Sequence, residues 1–378
     1  MKIAFISIGF DPYRASGLDI SGERLVGGLL DRGHQVSVVA AQKEPLHERI
    51  THPSLRVYRL PIGASNWIAW GWRAARLIDR LNRTESFEAV HFWDVYFAWA
   101  FRGPFIGSLQ HSFQQRLATS PEAGPVRRIY YAMARIMAEE PAIRRASGLL
   151  AGSASSLKAY REHYDIPPEK TGLARHGIDT EFFFRVQDTR ALRARWRIRP
   201  EEKVIIFSGF FTPRKGLTYL AEAMQAMDPL PRLVLTGRWD SGFRQNFFKS
   251  LGGLTTQVVE AGFVPDEELP AYFSMADLYV SPSLLEGFGL PIAEALACGT
   301  PAVGADTGSV AEVIGPGGIL VPPRDPASLA AAVSGLLRDP AARAELGRKG
   351  RSHIVENFSL ERMVDSILQG YRRFLGVG

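Results

Sequence analysis

The stretch Lys203-Val204-Ile205-Ile206-Phe207-Ser208-Gly209-Phe210 decides the fold, because the chain uses nearly the same form at its start: Lys2-Ile3-Ala4-Phe5-Ile6-Ser7-Ile8-Gly9-Phe10. Both are short, continuous apolar runs that close on Gly-Phe. Runs of this kind suit strands buried on both faces of a parallel sheet. Each leads through a glycine-containing loop into a helical pattern, Gly22-Glu23-Arg24-Leu25-Val26-Gly27-Gly28-Leu29-Leu30 after the first and Leu217-Thr218-Tyr219-Leu220-Ala221-Glu222-Ala223-Met224 after the second. Strand, loop and helix thus open a doubly wound unit twice.

Further strand-like runs follow at α/β spacing: 36–40, 89–92, 105–109 and 148–151 in the first half, then 232–236, 257–260, 278–281 and 301–304 in the second. Helical patterns separate most of them, which predicts parallel strands with crossover helices. The expected fold class is α/β, two doubly wound Rossmann-like domains facing each other across a cleft. The expected boundaries are 1–185 and 186–360, with a C-terminal helix of about 361–378 returning to the first domain. Doubly wound domains bind ligands at the carboxyl ends of their strands, so the site is expected there.

The chain has 378 residues, enough for two domains of ordinary size. Its 46% hydrophobic and 22% charged residues are ordinary globular values and exclude a disordered chain or a coiled coil. Mean hydropathy is −0.06, and no apolar run is long enough to span a bilayer. The N-terminus lacks the features of a signal peptide. One cysteine, Cys298, excludes an internal disulfide and a cysteine metal cluster. These features predict a cytoplasmic protein. The net charge of +6 is uneven: residues 1–185 hold 24 basic against 18 acidic side chains, and the rest hold 21 of each. One-sided basic charge predicts an anionic partner or an incidental basic surface. A P-loop, a Gly-x-Gly-x-x-Gly after the first strand, a His-Glu-x-x-His and an Asp-x-Asp are all missing.

The chemistry concentrates in Ser281-Pro282-Ser283-Leu284-Leu285-Glu286-Gly287-Phe288-Gly289-Leu290-Pro291-Ile292-Ala293-Glu294-Ala295-Leu296-Ala297-Cys298-Gly299-Thr300-Pro301. A strand ends near Pro282 and a Gly-Phe-Gly turn follows. A helix then begins with proline in its tolerated first turn, and Gly299 ends it. Free N–H groups and the positive helix end make this turn a ready site for a diphosphate. Carboxylates beside an anion site, Glu286 and Glu294, make sense if the ligand also offers hydroxyls.

This stretch, Pro-Ser-x-x-Glu-Gly-Phe-Gly-Leu-Pro-x-x-Glu-Ala-x-Ala-x-Gly-x-Pro, closely resembles the signature of GT-B fold, family-4, retaining glycosyltransferases (glycosyl transferases group 1). The resemblance extends over nearly the whole chain: Ser21-Gly22-Glu23-Arg24 through Val36, Arg175-His176-Gly177-Ile178-Asp179-Thr180-Glu181-Phe182, Gly262-Phe263-Val264-Pro265-Asp266, and 306–314. It implies that Glu286 holds donor-sugar hydroxyls and Glu294 the nucleotide ribose. The backbone around Phe288, Gly289 and Leu290 would contact sugar and diphosphate, and Lys215 would neutralise the diphosphate. His111 would contact the donor sugar from the N-terminal domain, and Gly22, Gly209 and Val264 join the expected donor-binding set. It further implies a nucleotide-sugar donor (UDP-, GDP-, ADP- or dTDP-linked), a glycan or lipid-linked acceptor in cell-surface polysaccharide or glycoconjugate assembly, no cofactor and no metal. One departure stands out: where the family carries an arginine, this chain has Phe210, so Arg214 or Arg238 would have to replace it.

Other readings remain open on the residues alone. Phe210 also suits a catalytically weak nucleotide-sugar-binding protein, and the architecture is shared by nucleotide-sugar epimerases. Nucleic acid is not an expected partner, because the basic residues lack interleaved aromatics on a strand surface. Residues 67–83 form a basic amphipathic pattern with Arg73, Arg76, Arg80 and Arg83 on one face. Such a helix either packs on its own sheet with its arginines solvated or lies on an anionic membrane; a later cluster, Arg127, Arg128, Arg135, Arg144 and Arg145, keeps the membrane reading open.

Overall fold

The computed structural model describes residues 1–10, 17–42, 50–62, 67–110, 112–119, 124–240 and 242–377. The chain divides into two units, Met1–Gly177 with Leu360–Gly378, and Ile178–Ser359.

The first unit is built on seven strands: β1 (Lys2–Ile6), β2 (Gln35–Gln42), β3 (Leu55–Pro61), β4 (Ala89–Phe92), β5 (Ile106–Leu109), β6 (Gly148–Ala151) and β7 (Thr171–Leu173), in the order β3-β2-β1-β4-β5-β6-β7. The second has six: β8 (Val204–Phe211), β9 (Arg232–Trp239), β10 (Val258–Gly262), β11 (Leu278–Ser281), β12 (Ala302–Ala305) and β13 (Gly318–Val321), in the order β10-β9-β8-β11-β12-β13. Every pairing in both sheets is parallel. Both units are therefore Rossmann-like α/β domains. The helices that matter below are α1 (Gly17–Asp31), α2 (Trp67–Glu85), α3 (Pro125–Ala134), α4 (Leu217–Met224), α5 (Leu290–Ala297) and α6 (Leu360–Leu375).

In each sheet the strand order reverses once, at β1/β4 in the first unit and β8/β11 in the second. Connections leave adjacent strands toward opposite faces there, which opens a crevice at their carboxyl ends.

Three differences from the expected organisation have physical causes. The first unit ends at Gly177, not 185, because residues after it belong to the second unit's core: the Ile178 N–H donates to the Phe358 carbonyl (2.8 Å), and Phe183 is fully buried there. Helix α1 starts at Gly17, ahead of the helical pattern expected from Gly22 onward. Strands β3, β7 and β13 are additional. In β3, Leu55-Arg56-Val57-Tyr58-Arg59-Leu60-Pro61 mixes arginines into an edge strand where one row of side chains meets water, and β7 is only three residues long.

Helix α6 closes the first unit's core with Met363, Val364, Ile367, Leu368 and Tyr371. The buried His91 sits between Tyr371, whose hydroxyl is 2.8 Å from Nδ1, and Ser108, whose Oγ is 2.8 Å from Nε2. Burial pushes the imidazole pKa down to about 3, so His91 is neutral. We predict that Tyr371→Ala destabilises the first unit by about 3–5 kcal/mol, the scale for truncating a buried aromatic. Tyr371→Phe should cost about 1–3 kcal/mol, since it strands one imidazole nitrogen. Urea unfolding followed by a probe in the first unit measures both; an alanine variant as stable as the parent would mean that α6 is not part of this core.

Candidate active site

The loops leaving β8 and β11 meet at the order reversal of the second sheet. After β8 the chain turns through Thr212-Pro213-Arg214-Lys215, and Gly216 enters α4 with φ +67°; a Cβ there would lie 2.0 Å from the Pro282 carbonyl oxygen. Only glycine permits both the left-handed backbone and this approach. The Leu284 N–H donates to the Arg214 carbonyl (2.9 Å), and the Arg214 guanidinium donates to the Leu285 carbonyl (2.7 Å). Lys215 Nζ stands 2.6 Å from Glu286 Oε2, with side chains only 14% and 12% exposed. The two residues expected to serve diphosphate and sugar hydroxyls are thus brought together in one largely buried ion pair.

Gly289, at φ +95°, is the N-cap of α5, with Pro291 in the first turn. Phe288 and Leu290 place their side chains in the second unit's core. Glu294 is buried one turn into α5. The Tyr279 hydroxyl donates to the Ser208 carbonyl (3.2 Å); burial raises its pKa, and the charges of Glu286 and Glu294 raise it further. Both carboxylates therefore act on one buried phenol. Cys298 is fully buried and its thiol is pushed up to about 12, chiefly by burial, which fits a packing residue.

Gly209, Arg238 and Val264 lie on or beside strands of the second unit. Gly209 (φ +144°) lies within the last residues of β8 opposite Gly237, with open space where a Cβ would be. Arg238 lies opposite Phe210 in the β8–β9 register, so the two share one face of the sheet. Phe210 is 55% exposed, and the Arg238 guanidinium sits 4.6 Å over the Phe263 ring. The Val264 side chain is buried in the second unit's core. Gly22 is in the first unit, where a Cβ would press on Trp93 Nε1 at 3.1 Å. His111 lies outside the described residues.

Sequence reasoning gave no role to Thr307, Gly308 and Ser309, which clamp the Glu286 loop. The Ser309 N–H donates to the Glu286 carbonyl (3.2 Å), Ser309 Oγ to the Phe288 carbonyl (2.8 Å), and Thr307 Oγ1 to the Ser283 carbonyl (2.8 Å). Gly308, at φ +56°, allows this approach, since a Cβ would lie 2.0 Å from the Glu286 oxygen. A cavity of about 720 Å³ lies elsewhere in this unit, near Lys203, Asp277 and Pro301 at the amino ends of the strands. Its arginines hold carbonyls: Arg193 those of Met275, Arg199 and Glu202, Arg343 those of Leu336 and Leu337, and Arg351 those of Phe183 and Thr180. That cavity belongs to the scaffold.

At the first unit's reversal, β1/β4, a different polar group is buried. The Ser21 hydroxyl donates to His176 Nδ1 (2.7 Å), His176 Nε2 to Gln110 Oε1 (3.1 Å), and Gln110 Nε2 to the Trp93 carbonyl (3.3 Å). Burial lowers the His176 pKa to about 4, consistent with this neutral tautomer. Asp94 follows β4; burial raises its pKa to about 7, Arg116 opposes the rise, and Asp19 adds to it.

The family models for Glycosyl transferases group 1 and Glycosyltransferase Family 4 match residues 188–353 and 15–182. The chain is a group 1, family-4 glycosyltransferase. It is 26% identical to an uncharacterized glycosyltransferase of Methanocaldococcus jannaschii over 98% of both chains. It is 34% identical to the D-inositol 3-phosphate glycosyltransferase of Geodermatophilus obscurus over 63% of this chain and 55% of that one. This match spans about half the length of the inositol-phosphate enzyme. Among solved structures, sucrose-phosphate synthase of Thermosynechococcus elongatus superposes with a TM-score of 0.83 at 24% identity, covering 99% of each chain. Anabaena HepE in complex with UDP-glucose superposes at 0.75 with 19% identity, covering 98% of each. The fold is the GT-B fold of these glycosyltransferases.

The elevated Asp94 pKa has a definite sign. The folded state holds this proton between about pH 4 and 7 where the unfolded chain has lost it, so the group's contribution to stability falls as pH rises through that window. We predict that Asp94→Asn removes this loss. Stability of the variant relative to the parent should rise from near zero at about pH 4 to at most about 4 kcal/mol at about pH 8. Denaturant titrations across pH measure it, and a flat difference would mean that Asp94 ionises as freely in the fold as outside it.

Proposed function

We propose that this glycosyltransferase transfers a hexosyl group from a nucleotide-sugar donor with retention of configuration, using neither metal nor cofactor. The carrying observation is the Lys215–Glu286 pair at the β8/β11 reversal, beside the start of α5. Leaving-group charge develops on the donor diphosphate, and preorganised cations and N–H groups stabilise it best when they are fixed beforehand. Lys215 and the backbone at Gly289 and Leu290 supply such groups, with the positive end of α5 behind them. Glu286 receives hydrogen bonds from donor-sugar hydroxyls and Glu294 from the ribose. Similar folds hold UDP and UDP-glucose, which supports a nucleotide-sugar donor.

The acceptor we propose is a glycan or a lipid-linked sugar, anionic in itself or presented on an anionic surface at the cytoplasmic face of a membrane. The basic excess of residues 1–185 supports it, because the second half, with the diphosphate loops, is neutral overall. A second reading, a nucleotide-sugar-binding protein with little turnover, has one observation in its favour, the exposed Phe210 in place of the family's arginine.

Kinetics with the preferred nucleotide sugar, in excess EDTA, test the assignment. Turnover is expected to persist in EDTA. Lys215→Ala and Glu286→Ala should each lower kcat by about 10²–10³. Glu294→Ala should mainly raise KM, because ribose contacts are equal in ground and transition states. Donor binding without turnover in the parent protein would favour the second reading, and activity restored only by Mg²⁺ or Mn²⁺ would remove metal independence.

Arg238 is the better replacement for the missing arginine. It is exposed on the same sheet face as Phe210, whereas Arg214 is tied to the Leu285 carbonyl and shapes the loop. Arg238→Ala should therefore lower kcat by about tenfold or more, with Phe210→Arg restoring part of the loss, as expected for a charge aimed at the leaving group. Arg214→Ala should lower thermal stability as well as activity. A fully active Arg238→Ala enzyme would leave the diphosphate to Lys215 and the backbone.

A further inference from the structure

Helix α3 and the π-helical turn Arg135–Glu139 that continues it carry an outward apolar stripe. Val126, Ile129, Tyr130, Met133, Ile136 and Met137 are 41–80% exposed, and they are six of the fourteen exposed large hydrophobic residues described for the chain. Their spacing follows one face of a helix. The opposite face is used internally: Ala134, Ala138 and Ala142 are buried, and the Tyr131 ring meets Phe113 at 6.0 Å. An apolar patch of this size on a water-facing helix marks an interaction surface.

Charge selects the partner. Residues 124–138 contain no Asp or Glu but three arginines, of which Arg127 and Arg128 are exposed, and the exposed Arg144 follows. A second copy of this face would set arginine against arginine with no acid to pair them. A bilayer with anionic headgroups offers an apolar interior to the stripe and phosphates to the arginines, and tyrosine favours that boundary. Helix α2, the earlier candidate for this contact, lacks a free apolar face: Trp70, Ala74, Ala75 and Ile78 are buried, Arg73 donates to the Pro61 carbonyl, and Arg76 lies over the Trp72 ring. No helix among the described residues is long and apolar enough to cross a membrane, so the contact is peripheral.

We propose that the face formed by Val126, Ile129, Tyr130, Met133, Ile136 and Met137 docks on an anionic bilayer, with the helix lying in the headgroup plane and its arginines on lipid phosphates. This goes beyond the transfer reaction and holds whether or not the acceptor is lipid-linked.

Vesicle flotation tests it, using phosphatidylcholine vesicles and equimolar phosphatidylcholine–phosphatidylglycerol vesicles at low and high salt. The parent protein should float with the anionic vesicles at low salt and much less with neutral ones. The double variant Ile129→Glu, Met133→Glu should bind them at least about tenfold more weakly while keeping its thermal midpoint and its turnover with a soluble acceptor. A second readout does not depend on that variant. Cys298 is fully buried, so Met133→Cys offers one reactive thiol for an environment-sensitive fluorophore. Its emission should shift to the blue on anionic vesicles, whereas a label at Arg76→Cys should stay unchanged. The proposal is overturned if the double variant binds vesicles like the parent, or if the Met133→Cys label shows no shift. It is equally overturned if the parent self-associates without lipid and the double variant is a monomer, which would make the face a contact between copies. Lost vesicle binding with intact turnover concerns this surface alone; lost turnover with intact vesicle binding concerns the transfer reaction alone.

Discussion

Everything at the candidate site depends on two loops being held against each other at the β8/β11 reversal. The sheet supplies the crevice, but loops leaving adjacent strands in opposite directions have no helix between them to fix their spacing. Close backbone packing does it instead. Gly216 presses on the Pro282 carbonyl, Leu284 bonds to Arg214, and Gly308 brings the loop after β12 against Glu286. Two left-handed glycines let three loops approach closely enough to share hydrogen bonds. Inside that frame Lys215 and Glu286 lose most of their water. A buried ion pair gains little net stability, because desolvation offsets the attraction. The pair is better understood as a fixed contact between two loops, 2.6 Å long, than as a source of stability.

The first unit repeats the topology and fills it with different chemistry. Its reversal at β1/β4 gathers Asp19, Asp94 and His176 where the second unit gathers Lys215, Glu286 and a helix N-terminus. His176 is held in one tautomer by Ser21 and Gln110, and Arg116 lies close enough to Asp94 to oppose the rise of its pKa. Gly22 belongs to this scaffold, because its missing side chain lets α1 close on Trp93.

Much of this was legible in the residues. The twin apolar runs at 3–6 and 204–207 are strands, and the Gly-Phe-Gly-Leu-Pro stretch does place a helix start at Leu290. Glu286 and Lys215 meet although they are 71 positions apart; the residues of the loop itself pointed to Glu286, and only the family resemblance to Lys215. What stayed hidden depends on tertiary packing. Arg214 and Arg238 look alike as loop arginines, and only the β8–β9 register separates the one beside Phe210 from the one tied to a carbonyl. Thr307 and Ser309 act through their hydroxyls on a loop some twenty residues away, which no local pattern encodes. The unit boundary was placed after Glu181-Phe182-Phe183, where a charged stretch begins, while Phe183 is already a core residue of the second unit.

The charge asymmetry becomes sharper once burial is known. Five Asp and Glu side chains are buried among the described residues, and four of them, Asp19, Glu23, Asp94 and Glu139, belong to the first unit. Asp94 has a pKa of about 7 and is partly protonated at neutral pH, and burial raises the Glu139 pKa as well. No Lys or Arg of the described residues is buried. The count of +6 for residues 1–185 therefore understates the positive charge their surface presents, because the acids that balance the arginines are in the interior. Arginines of both units are tied to carbonyls or acids, as Arg73 is to Pro61 and Arg32 to Asp365 in the first and Arg343 to Asp277 and Arg244 to Glu260 in the second, but residues 186–378 hold as many acids as bases. A long-range field depends on charges left uncompensated at the surface, and only the first unit has them in excess.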